Sequence, residues 1–262
     1  MYLQLHSISK IFGETKKETL QDISLEVEKG EFICIVGPSG CGKSTLLNLV
    51  AGLDTPTAGT ITLDGKQVTA PGADRVVMFQ EAALYPWLNV MQNVMFGLEA
   101  AGHPKKEQME IAETYLKMVQ LWQYRDYPIH QISGGMKQRT ALARALALDS
   151  KLLLMDEPFS ALDKQTINIL RAELEEIWEK TKKTILYVTH SVEEAIYFAD
   201  RVVVMAENPG QIKQIIPIRF ARPRNIEAPE FTALRRQILD QVSLSARKSM
   251  ADEFDNPEVK QS

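Results

Sequence analysis

The chain has 262 residues, 45% of them hydrophobic and 24% charged, ordinary values for a protein able to bury a sizeable core. A net charge of −4 and an isoelectric point near 5.7 leave no overall basic footprint, so bulk binding of nucleic acid is not expected. No run of about 18 consecutive apolar residues is present to span a bilayer, so any membrane role would run through a partner. The two cysteines form no framework of spaced pairs, which fits a reducing compartment.

Met1 to Lys10 alternates apolar and polar residues, as a strand does and a secretory signal does not. Ile23, Leu25 and Val27 alternate in the same way before a Lys29-Gly30 turn, with a polar loop over Gly13 to Glu18 between the two strands. Phe32 to Val36 is a short continuous apolar run, the pattern of a strand buried on both faces, and Thr45 to Leu53 reads as a helix. Gly59 to Leu63 turns at Asp64-Gly65, and a strand is expected over Arg75 to Gln80. From about Pro86 to Leu148 the texture is helical, with Ile111, Tyr115, Met118 and Val119 at helical spacing. Strand and helix then alternate: Leu152 to Met155, Lys164 to Lys180, Thr184 to Thr189, Val192 to Ala199. That order implies a mostly parallel sheet covered on both faces. Arg201 to Ala206 and Gln211 to Ile218 form a hairpin around Asn208-Pro209-Gly210. Phe231, Leu234, Ile238 and Val242 mark an amphipathic helix, and the polar tail from Ala251 is expected to be disordered.

Gly37-Pro38-Ser39-Gly40-Cys41-Gly42-Lys43-Ser44, followed by Thr45, matches the P-loop pattern between a strand and a helix. Glycines let the backbone curl so that successive N–H groups point inward, and the helix start adds partial positive charge. Lys43 reaches the outer phosphates and Ser44 ligates magnesium. Cys41, although beside Lys43, occupies a position that asks for a small side chain. Lys151 to Glu157 is an apolar strand delivering Asp156 and Glu157 at its carboxyl end, where open parallel sheets place ligands. Two acids after such a strand are by themselves often a solvated loop start. With a P-loop upstream, Asp156 holds the magnesium and Glu157 is the base beside the attacking water. Ser133-Gly134-Gly135 precedes a helix expected near Met136, either as a second anion-binding helix start or as an N-cap with flexible glycines. The apolar stripe Ile167, Leu170, Leu174 and Ile177 is core.

Ile132 to Arg139 resembles the signature motif of ABC ATPases, and the other family elements lie in the matching order. By this resemblance Gln80 is the Q-loop glutamine and a further magnesium ligand, Ser160-Ala161-Leu162-Asp163 the D-loop, His190 the switch histidine that contacts the terminal phosphate, and Phe12 the aromatic that stacks on adenine. The implied fold is α/β: a P-loop NTPase (RecA-like) core with an N-terminal antiparallel β subdomain and an inserted α-helical subdomain. It would be one domain over residues 1–250, with the helical part at about 86–148, a C-terminal helical extension at about 220–250 and a tail over 251–262. The family implies ATP hydrolysis with magnesium and a head-to-tail homodimer, each ATP held by the P-loop of one copy and Ser133 to Gly135 of the other. Two positions depart from the pattern. Met136 stands where the signature usually has glutamine, and Phe12 replaces the commoner tyrosine, keeping the stacking face.

Phe79 to Val90 with Asn93-Val94, and the later Phe220-Ala221-Arg222-Pro223-Arg224, are similar to the nitrate, sulfonate and taurine group of importer ATPases. That group is similar in turn to importers of pyrimidine precursors, aromatic acids or bicarbonate. The partners so implied are transmembrane permease subunits and, indirectly, a solute-binding protein. The location is the cytoplasmic face of the cell membrane. The alternative is an ABC-type ATPase in a non-transport process. Its DNA-repair members carry long coiled coils or zinc modules and its ribosome-acting members two cassettes, and neither feature is present in this sequence.

Overall fold

The computed structural model describes residues 1–13, 17–160 and 162–254. The loop expected between Gly13 and Glu18 falls largely outside the described residues, as do Ala161 and residues 255–262 of the expected tail. The chain divides into two compact units, one formed by Met1–Pro71 with the chain from Leu186 onward, the other by Gly72–Ile185.

In the first unit β1 (Leu3–Phe12) pairs antiparallel with β2 (Lys17–Val27) on one side and β4 (Ala58–Leu63) on the other. β5 (Lys66–Gln67) pairs with β4 across the Asp64-Gly65 turn. The alternation seen in the sequence is the reason: Leu3, Leu5 and Ile8 are buried, while the residues between them are at least partly exposed. β3 (Phe32–Val36) is buried along its whole length and lies parallel to β9 (Arg201–Ala206), which forms the expected hairpin with β10 (Gln211–Pro217). α1 (Lys43–Ala51) starts two residues before the expected Thr45. It ends at Gly52, whose φ of 75° lets its N–H reach back to the carbonyls of Asn48 and Leu49.

The second unit holds the parallel pair β6 (Arg75–Met78) and β7 (Leu152–Asp156). The strand expected to reach Gln80 stops at Met78, where its ladder with β7 ends at Met155, and so Phe79 and Gln80 pass into an exposed loop. Between these strands lie α2 (Val90–Ala100), α3 (Lys105–Met118) and α4 (Gly134–Ala147). A side chain on Gly97 of α2 would meet Leu148 at 3.0 Å, so glycine there allows close approach to the end of α4. α5 (Lys164–Thr181) buries Leu170, Leu174 and Ile177 as expected, with Ile167 half-buried at the start of the stripe. β8 (Thr184–Val188) carries the chain from the second unit back into the first. The mixed α/β fold, with its antiparallel β part and helical insertion, agrees with the P-loop expectation.

α6 (Val192–Phe198) follows β8, and α7 (Pro229–Phe254) closes the described chain. α7 runs four residues into the stretch expected to be an unstructured tail. The segment between β10 and α7 is tied down by two arginines. Arg224, 5% exposed, donates from Nη1 to the carbonyls of Ile196 (2.6 Å), Tyr197 (3.0 Å) and Ala199 (2.7 Å). Arg222 donates to the Phe198 carbonyl at 2.5 Å and pairs with Asp200 at 2.8 Å. A helix C-terminus leaves carbonyls without intrahelical donors, and here a buried guanidinium supplies them. Arg224→Leu is expected to lower unfolding stability by about 1–3 kcal/mol, the cost of leaving buried acceptors unmade. Denaturant titration of both variants checks this, and Arg224→Lys is expected to recover only part, because a single ammonium does not reproduce the fork.

Candidate functional site

In the first unit, β3 delivers Gly37 and the chain curls through Gly40 (φ 82°) and Gly42 (φ 93°) into α1. Gly42 is the N-cap of α1 and makes no side-chain cap, so the first amides of the helix are left for another acceptor. A methyl on Gly42 would lie 2.5 Å from Leu20, so both φ and space demand glycine. Lys43 is 7% exposed, and its Nζ donates to the carbonyls of Gly37 (3.0 Å) and Pro38 (2.8 Å), which folds the side chain back over the loop. Ser39, Gly40 and Ser44 are exposed, with Pro38 and Thr45 half-buried. Cys41 is 1% exposed, and burial pushes its thiol up from its ordinary pKa despite the opposing charge of Lys43. Its role is packing: a Cβ on Gly37 would meet the Cys41 sulfur at 2.9 Å. Phe12 is 45% exposed at the end of β1, with the ammonium of Lys10 over its ring at 4.7 Å from the centroid. His190 is exposed in the turn between β8 and α6. An uncapped helix start, inward amides and one lysine suit a polyphosphate, and an exposed aromatic face in the same unit suits a base.

In the second unit, β7 ends at Asp156, and Glu157 follows in the left-handed region at φ 44°. A non-glycine residue there costs on the order of 1–3 kcal/mol, strain that concentrates at functional positions. Both acids are half-buried. The Gln80 amide donates to Ser160 Oγ at 3.2 Å, and Ser160 Oγ donates to the Glu157 carbonyl at 3.0 Å, so three of the sequence-derived positions are joined in one chain of bonds. Ser133 caps α4, its hydroxyl accepting from Met136 N–H at 3.3 Å, and the helix starts at Gly134 rather than near Met136. Gly135 lets α5 approach, since a Cβ there would meet Thr166 at 2.9 Å, while Gly134 faces open space. Ser44, Gln80 and Asp156 all offer oxygen donors, the type that magnesium takes.

Side chains that hold these groups in place escaped the sequence analysis. Gln138, 5% exposed, donates to the carbonyls of Gln80 (2.9 Å) and Pro158 (2.7 Å), tying the loop after β6 to the segment after Glu157. Arg144 donates to the carbonyls of Ala82 and Ala83 and sits over the Tyr85 ring at 5.7 Å. Asn93 is fully buried and braces the loop from Tyr85 to Asn89, accepting from Tyr85 N–H and donating to the Asn89 carbonyl. The signal available beforehand was a polar residue on the apolar side of a helix, which registers only once the helix faces are known.

The family model for ABC transporters matches residues 20–160. An uncharacterized ABC transporter ATP-binding protein of Methanocaldococcus jannaschii is 51% identical over 95% of this chain and 94% of its own length. The nitrate import ATP-binding protein NrtD of Synechocystis is 46% identical over 88% of this chain and 86% of its own. The bicarbonate transport ATP-binding protein CmpD of the same organism is 44% identical over 91% and 88%. Among solved structures, a dimeric ATP-binding cassette in a post-hydrolysis state with ADP and Pi superposes with a TM-score of 0.74 at 30% identity, covering 84% of this chain and all of that one. With its P-loop, its signature helix and these relatives, the chain belongs to the ABC transporter family as an ATP-binding and ATP-hydrolysing cassette.

Proposed function

We propose that this cassette powers a membrane importer of a small anion such as nitrate, a sulfonate or taurine, with bicarbonate added by the likeness to CmpD. The observation that carries the transport reading is an apolar groove of about 520 Å³ in the second unit, lined among others by Val77, Phe79, Ala83, Tyr85, Phe96 and Arg144. Its lining includes Phe79, the residue just before Gln80. Tyr85 packs on Phe96 at 4.2 Å between ring centroids, and Trp87 beside them is 74% exposed. Exposed aromatic surface of this kind marks an interface, and a short helix of a permease subunit is its proposed occupant. The cassette would thus sit on the cytoplasmic face of the membrane through the permease, and a solute-binding protein would select the cargo, which the ATPase does not touch. Among the described residues no helix is long and apolar enough to cross a membrane itself.

In the proposed reaction the curled backbone of residues 37–43 and Lys43 bind the phosphates, and Phe12 stacks on the base. Glu157 aligns the attacking water and takes its proton as the bond to the terminal phosphorus forms and the bond to the departing ADP oxygen breaks. His190 contacts the terminal phosphate. Ser44, Gln80 and Asp156 would hold magnesium, which would supply positive charge against the phosphoryl oxygens. Positioning and charge complementarity provide most of the rate. A second copy completes each site with Ser133 to Gly135, an arrangement supported by the dimeric state of the similar cassettes. Gln80 couples the phosphate state to the groove, its backbone held by Gln138 and its neighbours by Arg144.

Lys43→Ala is expected to abolish or severely weaken ATP binding, measured by equilibrium titration at physiological salt, because it removes the main positive charge on the outer phosphates. Unchanged affinity would count against the P-loop role. Trp87→Ser with Phe96→Gln is expected to leave the ATPase rate of the isolated cassette nearly intact while uncoupling transport and permease assembly in the reconstituted complex. Full assembly by this variant would remove the groove from the interface. Glu157→Gln is expected to bind ATP but hydrolyse it roughly a hundredfold more slowly or worse, the scale of losing a general base. With turnover blocked, light scattering after size exclusion should show an ATP-dependent shift from monomer to dimer that disappears when Ser133→Arg is added. Normal hydrolysis, or a dimer indifferent to ATP and to Ser133, would sink the shared site.

A further inference from the structure

His190 is exposed in the turn between β8 and α6, and the residues on either side of it are tied into a buried polar network. Thr189 is 2% exposed, and its N–H donates to the Ile35 carbonyl of β3 at 3.2 Å, in the strand that leads into the P-loop. The Thr189 hydroxyl accepts the N–H of Ser191 at 3.0 Å and donates to Glu194 Oε2 at 2.9 Å. Tyr187, fully buried, donates its hydroxyl to the same carboxylate oxygen at 2.9 Å. Glu194 is 6% exposed, and its own N–H donates to the Ser191 hydroxyl at 3.3 Å, the N-cap of α6. One carboxylate thus collects the side chains three positions before α6 and one before the end of β8, and the histidine lies between Thr189 and Ser191, which the Thr189 hydroxyl bonds. The far end of the same seven-residue helix is held by Arg224.

Burying a carboxylate is costly unless donors meet it, so a fold keeps one at such a place when the geometry it enforces matters. The hydrogen bonds of Glu194, Thr189 and Tyr187 described above lie in the histidine turn, with one link to Ile35 of β3. Among the proposed site residues, the one they flank directly is His190.

We infer that Glu194 is a positioning residue for ATP hydrolysis: through Thr189 and Tyr187 it fixes the turn that aims His190 at the terminal phosphate. This rests on the proposed role of His190. Glu194 acts on the transition state and not on nucleotide affinity, because the groups that hold ATP in the ground state lie elsewhere.

The test measures ATP turnover, equilibrium ATP binding and thermal unfolding on the full chain. The variants are Thr189→Val, Glu194→Ala, Glu194→Gln, His190→Ala, and the doubles that add Glu194→Ala or Thr189→Val to His190→Ala. Glu194→Ala and Thr189→Val are expected to lower kcat about tenfold or more, up to the roughly hundredfold scale of an ångström of misplacement, with ATP Kd within about threefold. Glu194→Gln is expected to recover most of the rate, since the amide keeps an oxygen for the two hydroxyls. In the His190→Ala background neither substitution should cost anything further, because the group being aimed is gone. Losses that multiply with His190→Ala, or rates that simply follow the melting temperature, would overturn the inference while leaving His190 in its role. A His190→Ala protein with normal kcat would overturn that role and the inference together. Should Glu194→Ala fail to fold, Thr189→Val decides alone, because it leaves Glu194 bonded to Tyr187.

Discussion

A triphosphate carries concentrated negative charge that no small number of side chains can meet in a compact space, and a helix start left without a cap is the cheapest way to meet it with backbone. The first unit is arranged around that need. Gly42 occupies the N-cap of α1 in the left-handed region and contributes no side-chain oxygen, so the amides of the first turn are not consumed internally. The curl can exist only if nothing intrudes, and the surrounding packing shows how tight it is. A Cβ on Gly42 would strike Leu20 of β2, one on Gly37 would strike the Met205 carbonyl in β9, and one on Gly210 would come within 2.2 Å of the Cys41 carbonyl. Gly210 is itself bonded to Thr19 and Gln21 of β2. Strands from the antiparallel sheet and from the hairpin thus converge on a single loop and hold its shape.

The second unit solves a different problem, which is how to hold an acid and an amide at the end of a strand without rigid secondary structure. Glu157 sits at a positive φ and Gln80 in an exposed loop, so both depend on neighbours for position. Ser160 and Gln138 provide it, one by bridging the Gln80 side chain to the Glu157 backbone, the other by donating to backbone carbonyls on both segments. Gln138 projects from α4, the helix that Ser133 caps. The same helix therefore presents Ser133 at one end and braces the segments around Gln80 and Glu157 from its interior. A nearby half-buried guanidinium, Arg144, holds the carbonyls of Ala82 and Ala83 and continues that bracing toward the apolar groove. Burial lowers its pKa from the ordinary arginine value, and an arginine still carries its charge under such a shift.

Buried polar residues in both units share one logic. Gln138, Asn93, Glu194 and Arg224 bond mainly to backbone, or to hydroxyls beside it, where the chain is irregular. Irregular backbone leaves donors and acceptors unmatched, and matching them from a neighbouring helix converts a loop into a defined surface. The proposed chemistry lies in loops, and these four side chains help to define them.

Much of this was legible in the residues themselves. A glycine-rich turn between an apolar strand and a helix is a local pattern that points to the P-loop by itself, whereas Asp156, Glu157 and Ser133 were proposed as site residues only through the P-loop upstream and the ordered family resemblance. Strand alternation in β1 and β2 and the stripe on α5 follow from the same local periodicities. Element ends were less legible. β6 stops at Met78 because its ladder with β7 runs out there, and α4 begins at Gly134 because the Ser133 hydroxyl takes the Met136 amide, both being matters of who the bonding partner is. The roles of Gln138, Asn93, Glu194 and Arg224 were legible only in three dimensions. Each is an ordinary polar residue in a helix or loop, and its meaning comes from a backbone group several to tens of residues away, such as the 58 that separate Gln138 from Gln80. Sequence by itself determined which groups are proposed for the chemistry, because short-range spacing and motif order encode them. Tertiary structure alone decided how those groups are held, because a hydrogen bond to a distant carbonyl leaves no periodic trace in the chain.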